Sequence, residues 1–465
     1  MKRINIINIS KEVVKIVSLK KFIKKRVIIL GAAGRDFHNF NMHFRDYHQF
    51  KVIAFTAAQI PDIAGRKYPK ELAGKYYQRG IPIYDEKDLP ELIKKFNIHT
   101  VYFAYSDVNR DQIMDKVAIS LSAGANFELL GPNQTMVKSK KPVIAVCATR
   151  TGAGKGTVCR KVLDIITRKG YKAVAIRHPM PYGDLKKQIC QKFSTVSDLD
   201  KYNTTLEERE EYFPYIEKGI TIFSGVDYEK IIKAAEKENP DVIVFESGNN
   251  DISLIKPDLY ITVIDPIRPE GIFSYPGEIN VRIADLLIIN KFNLADKDQI
   301  KQTYENLSKI KKTHNIIKGE SSIVVDKPEL VSRRNVVLVE DAPSITHGGI
   351  SPKYAVSYIV AKKYKVKSIV NPKKYAVGAL KGLYKKYPDL SIVPTYGYNK
   401  KQLRDLEKTL NRVKADSIIF GSYSNFYNMV KLNKPVARVT YELKEVGGHK
   451  LERMLTEFLK SKRIR

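Results

Sequence analysis

The residues best suited to chemistry lie in one glycine-rich stretch, Ala148-Thr-Arg-Thr-Gly-Ala-Gly-Lys-Gly-Thr157. Glycines in such a turn allow backbone N–H groups to point at phosphate oxygens, and the N-terminus of a following helix adds partial positive charge. We expect Lys155 to neutralise the β- and γ-phosphates of a nucleoside triphosphate. Thr157 is expected to bind the accompanying magnesium, because Gly156 replaces the usual hydroxyl residue. The predicted nucleotide-binding residues of this stretch are Thr151, Gly152, Ala153, Gly154, Lys155, Gly156 and Thr157.

The sequence on either side of this loop supports the same interpretation. Residues 143–148 are small or β-branched, as in a buried strand, and residues 158–169 carry apolar side chains at helical spacing before Gly170. A strand, a glycine turn, a lysine and a helix in that order are the context of a phosphate-binding loop, or P-loop. Arg150 stands where one class of P-loop enzymes has a second lysine, so we assign it to transition-state stabilisation. The alternative is an ordinary glycine turn.

Candidate residues of a second group follow two later strands. Residues 241–246 form an apolar run that ends in Glu246, and Asp251 follows. P-loop proteins hold Mg²⁺ with an acidic residue at this place, so both carboxylates are predicted metal ligands alongside Thr157. Another strand leads into Arg177-His-Pro-Met-Pro-Tyr-Gly-Asp184, in which we assign Arg177 to substrate binding. The alternatives are a buried strand with a turn and a plain loop. The predicted catalytic residues are Lys155, Arg150, Glu246 and His178.

The segment Asn290-Lys-Phe-Asn293 ends a further strand and is close to the Asn-Lys-x-Asp motif of guanine-binding proteins. In that motif the aspartate accepts two hydrogen bonds from guanine, whereas a carboxamide offers one acceptor and one donor edge. We predict that Asn290, Lys291 and Asn293 bind the base, and the choice between GTP and ATP is left open.

Two other places are candidate sites for an anionic substrate. A strand beginning at residue 26 runs into a turn with Gly31, Gly34 and Arg35, which suits either an anion or a purely structural turn. The third glycine of the dinucleotide fingerprint and the acidic residue after the second strand are absent from the sequence, so a nicotinamide cofactor is not expected. His347, between hydroxyl residues and glycines, is either a substrate residue or part of a linker turn.

These residues must be positioned by strands and helices that alternate along the chain. The alternation predicts an α/β protein of three lobes with mainly parallel sheets and right-handed crossovers. After a basic extension at 1–25, we place a Rossmann-like domain at 26–140, a P-loop nucleotide-binding domain at 141–345 and a C-terminal α/β domain at 346–465. Residues 198–216 are rich in glutamate and are expected to form a solvated helix or a mobile loop.

Composition restricts the partners and the compartment. The formal charge is +31, from 81 Lys and Arg against 50 Asp and Glu, but the lysines are spread along the chain without a nucleic-acid-binding motif. We therefore expect a small anionic metabolite as the partner and do not expect nucleic acid. The sequence has no apolar run of membrane-spanning length, and its three cysteines lack metal-ligand spacing. The first 25 residues lack the central apolar stretch of a signal peptide, so none is expected. The expected location is the cytoplasm, and a homo-oligomer is left open.

Four stretches resemble those of one known family: residues 31–41, 177–184, 246–251 and 340–349. The chain is similar, from about residue 26 to 445, to predicted P-loop GTPases related to archaeal cyclic 2,3-diphosphoglycerate synthetase. The resemblance implies GTP or ATP with Mg²⁺, and the synthetase itself uses ATP to close an intramolecular phosphoanhydride in 2,3-diphosphoglycerate. The chain departs from the family at Gly156 and Glu246, which affects magnesium ligation, and at Asn293, which affects base choice.

The motifs and the resemblance leave several functions to be distinguished. The first is a Mg-dependent P-loop NTPase, expected to be a GTPase, that transfers or hydrolyses the γ-phosphate. The second is an ATP-dependent synthetase or ligase acting on a small anionic metabolite such as 2,3-diphosphoglycerate. The third is a regulatory GTP-binding protein, with slow turnover and no stimulation by a metabolite. A nucleic-acid-binding ATPase would instead bind DNA or RNA with a steep dependence on salt.

Overall fold

The computed structural model describes residues 24–32, 34–58, 63–180, 184–310, 315–340, 355–395, 400–421, 427 and 429–462. These residues divide into two compact units. The first unit contains the described residues up to Tyr105, together with Arg110–Met136 and the described part of 181–186. The second unit contains Ser106–Asn109, Val137–Met180 and the described residues from Lys187 onward.

Within the described residues, the first unit is built on a six-stranded sheet. The strands lie in the order β3-β4-β2-β1-β5-β6, and β3 is antiparallel to β4 whereas the other pairs are parallel. Their bounds are β1 Lys25–Leu30, β2 Phe50–Ala57, β3 Lys67–Tyr68, β4 Ile81–Asp85, β5 Thr100–Phe103 and β6 Asn126–Leu129. The helices are α1 Arg35–Asn39, continued by a π-helical turn at Phe40–Phe44, α2 Lys70–Ala73, α3 Leu89–Phe96, α4 Arg110–Ser122 and α5 Pro132–Thr135, with a 3-10 turn at Glu86–Asp88.

The core of this unit follows from its apolar sequence. Val27–Leu30 in the central strand β1 are completely buried, as expected for a parallel strand covered on both faces. The rings of Phe37 and Phe40 pack edge-on against Phe55, with centroid distances of 5.0 and 5.8 Å. Edge-to-face packing of this kind places the positive ring edge on the negative ring face and adds to the burial of apolar surface.

Within the described residues, the second unit contains one continuous sheet of thirteen strands. Their order is β16-β15-β18-β19-β14-β13-β12-β7-β11-β8-β10-β9, with β17 beside β15. Neighbours are parallel apart from the antiparallel pairs β9–β10 and β14–β19. The bounds are β7 Val143–Ala148, β8 Ala173–Arg177, β9 Gln191–Phe193, β10 Ile222–Ser224, β11 Val242–Glu246, β12 Leu259–Ile264, β13 Leu286–Ile289, β14 Ile316–Val325, β15 Asn335–Glu340, β16 Ser368–Ile369, β17 Val393–Pro394, β18 Ser417–Gly421 and β19 Val436–Val446.

Helices cover this second sheet. They are α6 Lys155–Arg168, α7 Val196–Lys201, α8 Leu206–Ile216, α9 Tyr228–Lys237, α10 Gly277–Ile283, α11 Lys297–Ile310, α12 Val356–Lys363, α13 Ala379–Lys386, α14 Lys400–Arg412 and α15 Lys450–Ser461. Short 3-10 turns occur at Pro269–Phe273, Pro328–Leu330 and Lys373–Tyr375. Across the described part of the chain, no helix combines the length and the apolar character needed to cross a bilayer. The predicted α/β fold with mainly parallel strands is confirmed, and the division into three lobes stays a prediction.

Two apolar cores support the second unit. The first surrounds α6, whose Val158, Val162 and Ile166 are fully buried at helical spacing, and it includes Leu455 and Leu459 of α15. The second core is formed mainly by β15, β18 and the helices that follow β15, and it contains Leu338, Ile419 and Leu406. The sheet therefore continues from one core to the other through β14 and β19.

Residues 198–216 differ from the sequence expectation. They form the end of α7, a short connection at 202–205 and α8. Helix α8 begins with a capping box in which Glu208 N donates to Thr205 Oγ1 (3.2 Å) and Thr205 N donates to Glu208 Oε2 (2.8 Å). The expected helix is present, but Glu207, Glu208 and Glu210 are each less than a tenth exposed, so the expectation that the segment is solvated is wrong. The burial is compensated by polar partners: Gln188 donates to Glu208 (3.2 Å) and Thr395 donates to Glu210. Burial raises the pKa of the Glu208 carboxyl.

Candidate functional site

The glycine-rich loop joins β7 to α6 in the second unit. Strand β7 is fully buried, and α6 begins at Lys155 with Gly154 as its N-cap. Gly152 and Gly154 have φ angles of +81° and +103°, in the left-handed region that glycine enters without steric cost. A side chain on Gly154 would in addition collide with Nδ2 of Asn290. The two glycines therefore determine the backbone path of a turn at the N-terminus of a helix, which is the arrangement that binds phosphate.

Asn290 and Lys291, predicted to bind the base, contact the loop. Asn290 Nδ2 donates to the carbonyl of Ala153 (2.9 Å), and Lys291 Nζ donates to the carbonyl of Gly152 (2.6 Å). Lys291 Nζ also lies 3.6 Å from Asp265 Oδ2 at the end of β12. Asn290 and Lys291 follow β13, and Asp265 follows β12. These side chains therefore connect the ends of β13 and β12 to the loop and hold the carbonyl groups of Gly152 and Ala153 in place.

Polar side chains from three other segments hold the start of the loop. The carbonyl of Thr149 accepts hydrogen bonds from Asn250 Nδ2 (3.1 Å) and Ser274 Oγ (2.7 Å). Asn280 Nδ2 donates to the carbonyl of Ala148 (2.9 Å). Asn250 and Asn280 are completely buried, so each carboxamide needs hydrogen-bond partners within the protein, and the loop carbonyls supply them.

An ion pair lies next to the loop. The ends of β8 and β11 place Arg177 and Glu246 directly opposite each other in the parallel register. Arg177 Nη1 contacts Glu246 Oε1, Arg177 Nη2 contacts Glu211 Oε2 of α8, and the Tyr215 hydroxyl donates to Glu246 Oε2. The side chains of Arg177 and Glu246 are 9% and 4% exposed. The structure thus joins a predicted substrate residue to a predicted metal ligand.

Burial and charge act in opposite directions on the groups of this cluster. Burial raises the pKa of Glu246, but Arg177, the Tyr215 hydrogen bond and Lys155 outweigh it, so the pKa lies below its ordinary value. Burial and the positive charge of Arg177 lower the pKa of Lys155, while Glu246, Asp107 and Glu211 oppose the decrease. An anion bound beside Lys155 would favour the ammonium form, because an opposite charge raises the pKa of a lysine.

The predicted magnesium ligands lie around the first turn of α6. A Cβ on Gly156 would be 3.3 Å from Glu246 Oε1 and 3.1 Å from Arg160 Nη1, so the carboxylate lies against this turn. Arg160 Nη2 donates to Thr157 Oγ1 (3.3 Å). Asp251 is buried in the turn after β11. A carboxylate and a hydroxyl at the helix N-terminus fit a magnesium carried by nucleotide phosphates. Within the described residues, no cluster of three His, Cys, Asp or Glu side chains could hold a metal by itself.

Two further predicted catalytic residues lie at the edge of this region. His178 Nδ1 is 3.3 Å from the Tyr228 hydroxyl, and its ring packs so closely on Gly248 that a Cβ there would lie 2.6 Å from the ring. Arg150 Nε donates to the carbonyl of Thr151 (3.3 Å), and the Thr151 amide donates to the carboxylate of Asp107 (3.3 Å). Asp107 follows a strand that the sequence predicts, and it precedes the loop by more than forty positions.

In the glycine turn of the first unit, a nearby side chain accepts hydrogen bonds from the backbone amides. Gly31 has a φ of +118°, and the Asp36 carboxylate accepts hydrogen bonds from the amides of Gly34 (3.1 Å) and Phe37 (2.7 Å). Arg35 is 5% exposed. An internal carboxylate on these amides favours the structural turn over the anion site, since it occupies the donors that an anion would use. His347, the remaining predicted substrate residue, lies outside the described residues.

Asn293 is engaged by a neighbouring strand. Its Nδ2 donates to the carbonyl of Ser321 in β14 (3.3 Å), and its Oδ1 accepts from the Ser321 amide (3.0 Å). Both ends of the carboxamide are thus bonded to one backbone residue. The two bonds give Asn293 a structural role, whichever base the protein binds.

We expect Asn293→Asp to destabilise the protein by about 1–3 kcal/mol without improving GTP affinity. The carboxylate cannot donate to the Ser321 carbonyl, so that oxygen loses its partner and faces a negative charge. Urea unfolding and titration with GTP and ATP measure the two effects. Asn126→Asp, at an exposed position, controls for the added charge. A tenfold tighter GTP complex with unchanged stability would contradict the expectation and favour base binding by this residue.

A fully buried strand, a turn with two glycines at positive φ and a helix beginning at Lys155 define an α/β P-loop protein. Comparison with known proteins then places the chain more closely. It is 52% identical over 440 residues to arginine synthetase ArcE of Thermococcus kodakarensis, covering 94% of this chain and 98% of that protein. The chain belongs to the family of arginine synthetase ArcE, and it is an enzyme that depends on a nucleoside triphosphate.

Other similarities are more distant. The chain is 32% identical over 129 residues to cyclic 2,3-diphosphoglycerate synthetase of Thermococcus sibiricus, covering 27% of this chain and 28% of that protein. The "apo" form of LpxK from Aquifex aeolicus in complex with ATP is 13% identical, with a TM-score of 0.45 over 80% of this chain and 96% of that one. At this TM-score the likeness adds nothing to the assignment. No family model matches the chain. The predicted relation to the synthetase family is confirmed, whereas the predicted GTPase function finds no support.

Proposed function

We propose that this protein is an ATP-dependent synthetase that makes arginine. The observation that carries the proposal is the 52% identity to arginine synthetase ArcE, which extends over 98% of that protein. The P-loop supports it, because Lys155, the glycine turn and the neighbouring carboxylate are arranged for a nucleoside triphosphate. We choose ATP over GTP as the nucleotide, because the similarity to synthetases supports ATP and nothing supports GTP.

The chemistry of such a reaction follows from the product. Arginine carries a guanidino group, which can be made from a ureido group by replacing its oxygen with nitrogen. The ureido oxygen attacks the γ-phosphorus of ATP, ADP leaves, and the oxygen becomes part of a phosphate leaving group. Ammonia then attacks the carbon, the C–O bond breaks, phosphate departs and one proton is lost.

The residues of the P-loop would serve the first of these steps. Lys155 and the loop amides would neutralise charge on the phosphates, and Arg150 would stabilise the transition state. Thr157 and Glu246 would bind magnesium, which supplies further charge neutralisation. In this arrangement Arg177 keeps Glu246 ionised and oriented, because the two groups form a buried pair.

The alternative is a reaction on 2,3-diphosphoglycerate. It is favoured by the similarity to cyclic 2,3-diphosphoglycerate synthetase, although that similarity covers 27% of this chain. In that case the γ-phosphate would activate one phosphate of 2,3-diphosphoglycerate and would leave as inorganic phosphate when the other phosphate closes the intramolecular phosphoanhydride. The reaction would need no ammonia. A requirement for ammonia therefore distinguishes arginine synthesis from the reaction on 2,3-diphosphoglycerate.

We expect purified protein with Mg-ATP, ammonium and L-citrulline, the ureido analogue of arginine, to produce arginine and one phosphate per arginine. Arginine is measured by chromatography and phosphate by a colorimetric assay, with GTP replacing ATP in a parallel series. A series with 2,3-diphosphoglycerate in place of citrulline and ammonium tests the alternative. Stimulation only by 2,3-diphosphoglycerate would contradict arginine synthesis, and phosphate release unaffected by any acceptor would indicate a simple NTPase.

A further inference from the structure

A second arginine lies close to the P-loop, on a turn that no motif indicated. Strand β12 is the parallel neighbour of β7, so both strands end at the same edge of the sheet. The turn after β12 runs from Asp265 to the 3-10 turn Pro269–Phe273, and Arg268 occupies the N-cap position of that 3-10 turn. The fold therefore brings Arg268 to the edge at which the P-loop begins.

The backbone around Arg268 is fixed from both sides. Helix α11 supplies two side chains: Gln299 Nε2 donates to the carbonyl of Ile267 (3.1 Å), and Asn306 Nδ2 donates to the carbonyl of Pro269 (3.0 Å). Within the turn, the Gly271 amide donates to the carbonyl of Arg268 (3.0 Å). Such support limits the movement of the turn, which is what a ligand-binding side chain requires for a defined position.

The same turn packs against Arg150 of the P-loop. A Cβ on Gly271 would lie 3.1 Å from Arg150 Cδ, so the absence of a side chain at this position admits the arginine stem. Burial lowers the pKa of Arg268, and the positive charge of Arg150 lowers it further, against the opposing effects of Asp265, Glu270 and Asp107. Two guanidinium groups that are close enough to repel each other are stabilised by an anion that binds both.

We propose that Arg268 binds the terminal phosphate of the nucleoside triphosphate together with Arg150. The inference rests on the proposed function, because it assigns a residue to the nucleotide of that reaction. Guanidinium groups suit this task, since each can donate two parallel hydrogen bonds to phosphate oxygens. If Arg268 contacts the terminal phosphate, its loss should weaken the affinity for ATP more than the affinity for ADP. The loss of a residue that only supports the turn should weaken both affinities equally.

The test is the binding of ATP and ADP to Arg268→Gln and Arg268→Lys, measured by calorimetry without any acceptor. We expect Arg268→Gln to weaken ATP by about ten- to a hundredfold and ADP by less than about twofold. Arg268→Lys should lie between the wild type and Arg268→Gln, because it keeps the charge and loses the paired donors. Arg282→Gln is the matched control, since Arg282 is an exposed arginine whose side chain bonds to Glu278.

Unchanged ATP affinity in both variants, or equal weakening of ATP and ADP, would overturn the role of Arg268. Thermal unfolding of each variant shows whether a loss of affinity reflects a loss of structure, and Arg268→Lys preserves the test if Arg268→Gln is unstable. Wild-type protein that binds ATP but forms no arginine would remove only the synthetase assignment. Wild-type protein that binds neither nucleotide would overturn both proposals.

Discussion

Replacing Lys155 with alanine is expected to reduce Mg-dependent ATP turnover by about a hundredfold to several thousandfold, while the protein stays folded. The reason is the loss of about 3–5 kcal/mol of transition-state stabilisation, because the ammonium group neutralises charge that develops on the transferred phosphate. Lys155 is the first residue of α6 and makes no part of the apolar core. Steady-state release of phosphate measures turnover, and circular dichroism confirms the fold.

Lys169→Ala is the matched control for this experiment. Lys169 lies at the other end of α6, where its ammonium group is 3.1 Å from Glu452 of α15. Removing a partly exposed pair of this kind costs about 0–1 kcal/mol of stability and should leave turnover unchanged. Near-normal turnover of a folded Lys155→Ala protein would show that the P-loop does not carry the reaction.

Arg177→Gln should give the second large effect, and it should affect stability as well as turnover. The substitution leaves Glu246 and Glu211 without the guanidinium that now bonds to both. Breaking a buried ion pair by removing one partner typically costs about 3–5 kcal/mol. Turnover should fall because Glu246 would lose its orientation and part of its negative charge. Urea unfolding and phosphate release measure the two effects, with Arg168→Gln as an exposed control.

The pH dependence of this variant has a definite sign. In the wild type the pKa of Glu246 is below its ordinary value, so its pairing stabilises the protein at neutral pH and is lost as the pH falls through the lowered pKa. In Arg177→Gln burial dominates and the pKa of Glu246 rises, so protonation relieves the buried charge. The stability difference between the two proteins should therefore shrink from pH 7 toward pH 5. A difference that grows as the pH falls would contradict the assigned charge of Glu246.

The sequence was sufficient to predict the loop itself. Residues 143–148 and 155–168 carry local patterns, a β-branched run and an amphipathic helix, that need no knowledge of distant contacts. The position of Glu246 at the end of a buried strand could likewise be predicted, because an apolar run precedes it. In each case the physical information lies within a few positions of the residue concerned.

The partners of these residues could not be predicted in the same way. Arg177 and Glu246 meet because β8 and β11 are neighbours in the sheet. The order of strands in a sheet cannot be predicted from the residues of either strand alone. The polar composition of α8 predicts solvated glutamates, whereas the structure buries Glu208 against Gln188 and Glu210 against Thr395. Asn293 matched a base-binding motif by type and spacing, yet its partner is the backbone of β14.

The pairing of β14 with β19 has a consequence for biosynthesis. Val439 to Val446 pair antiparallel with Lys318 to Val325, so the edge of β14 that faces away from β13 stays unpaired until more than a hundred further residues have been translated. Helix α15, which shares the core of α6, is translated later still. Contacts of such high sequence separation form slowly, and an unpaired strand edge promotes aggregation. The nascent P-loop region should therefore remain open to chaperones until the ribosome has passed α15, and pulse proteolysis of stalled chains would reveal that delay.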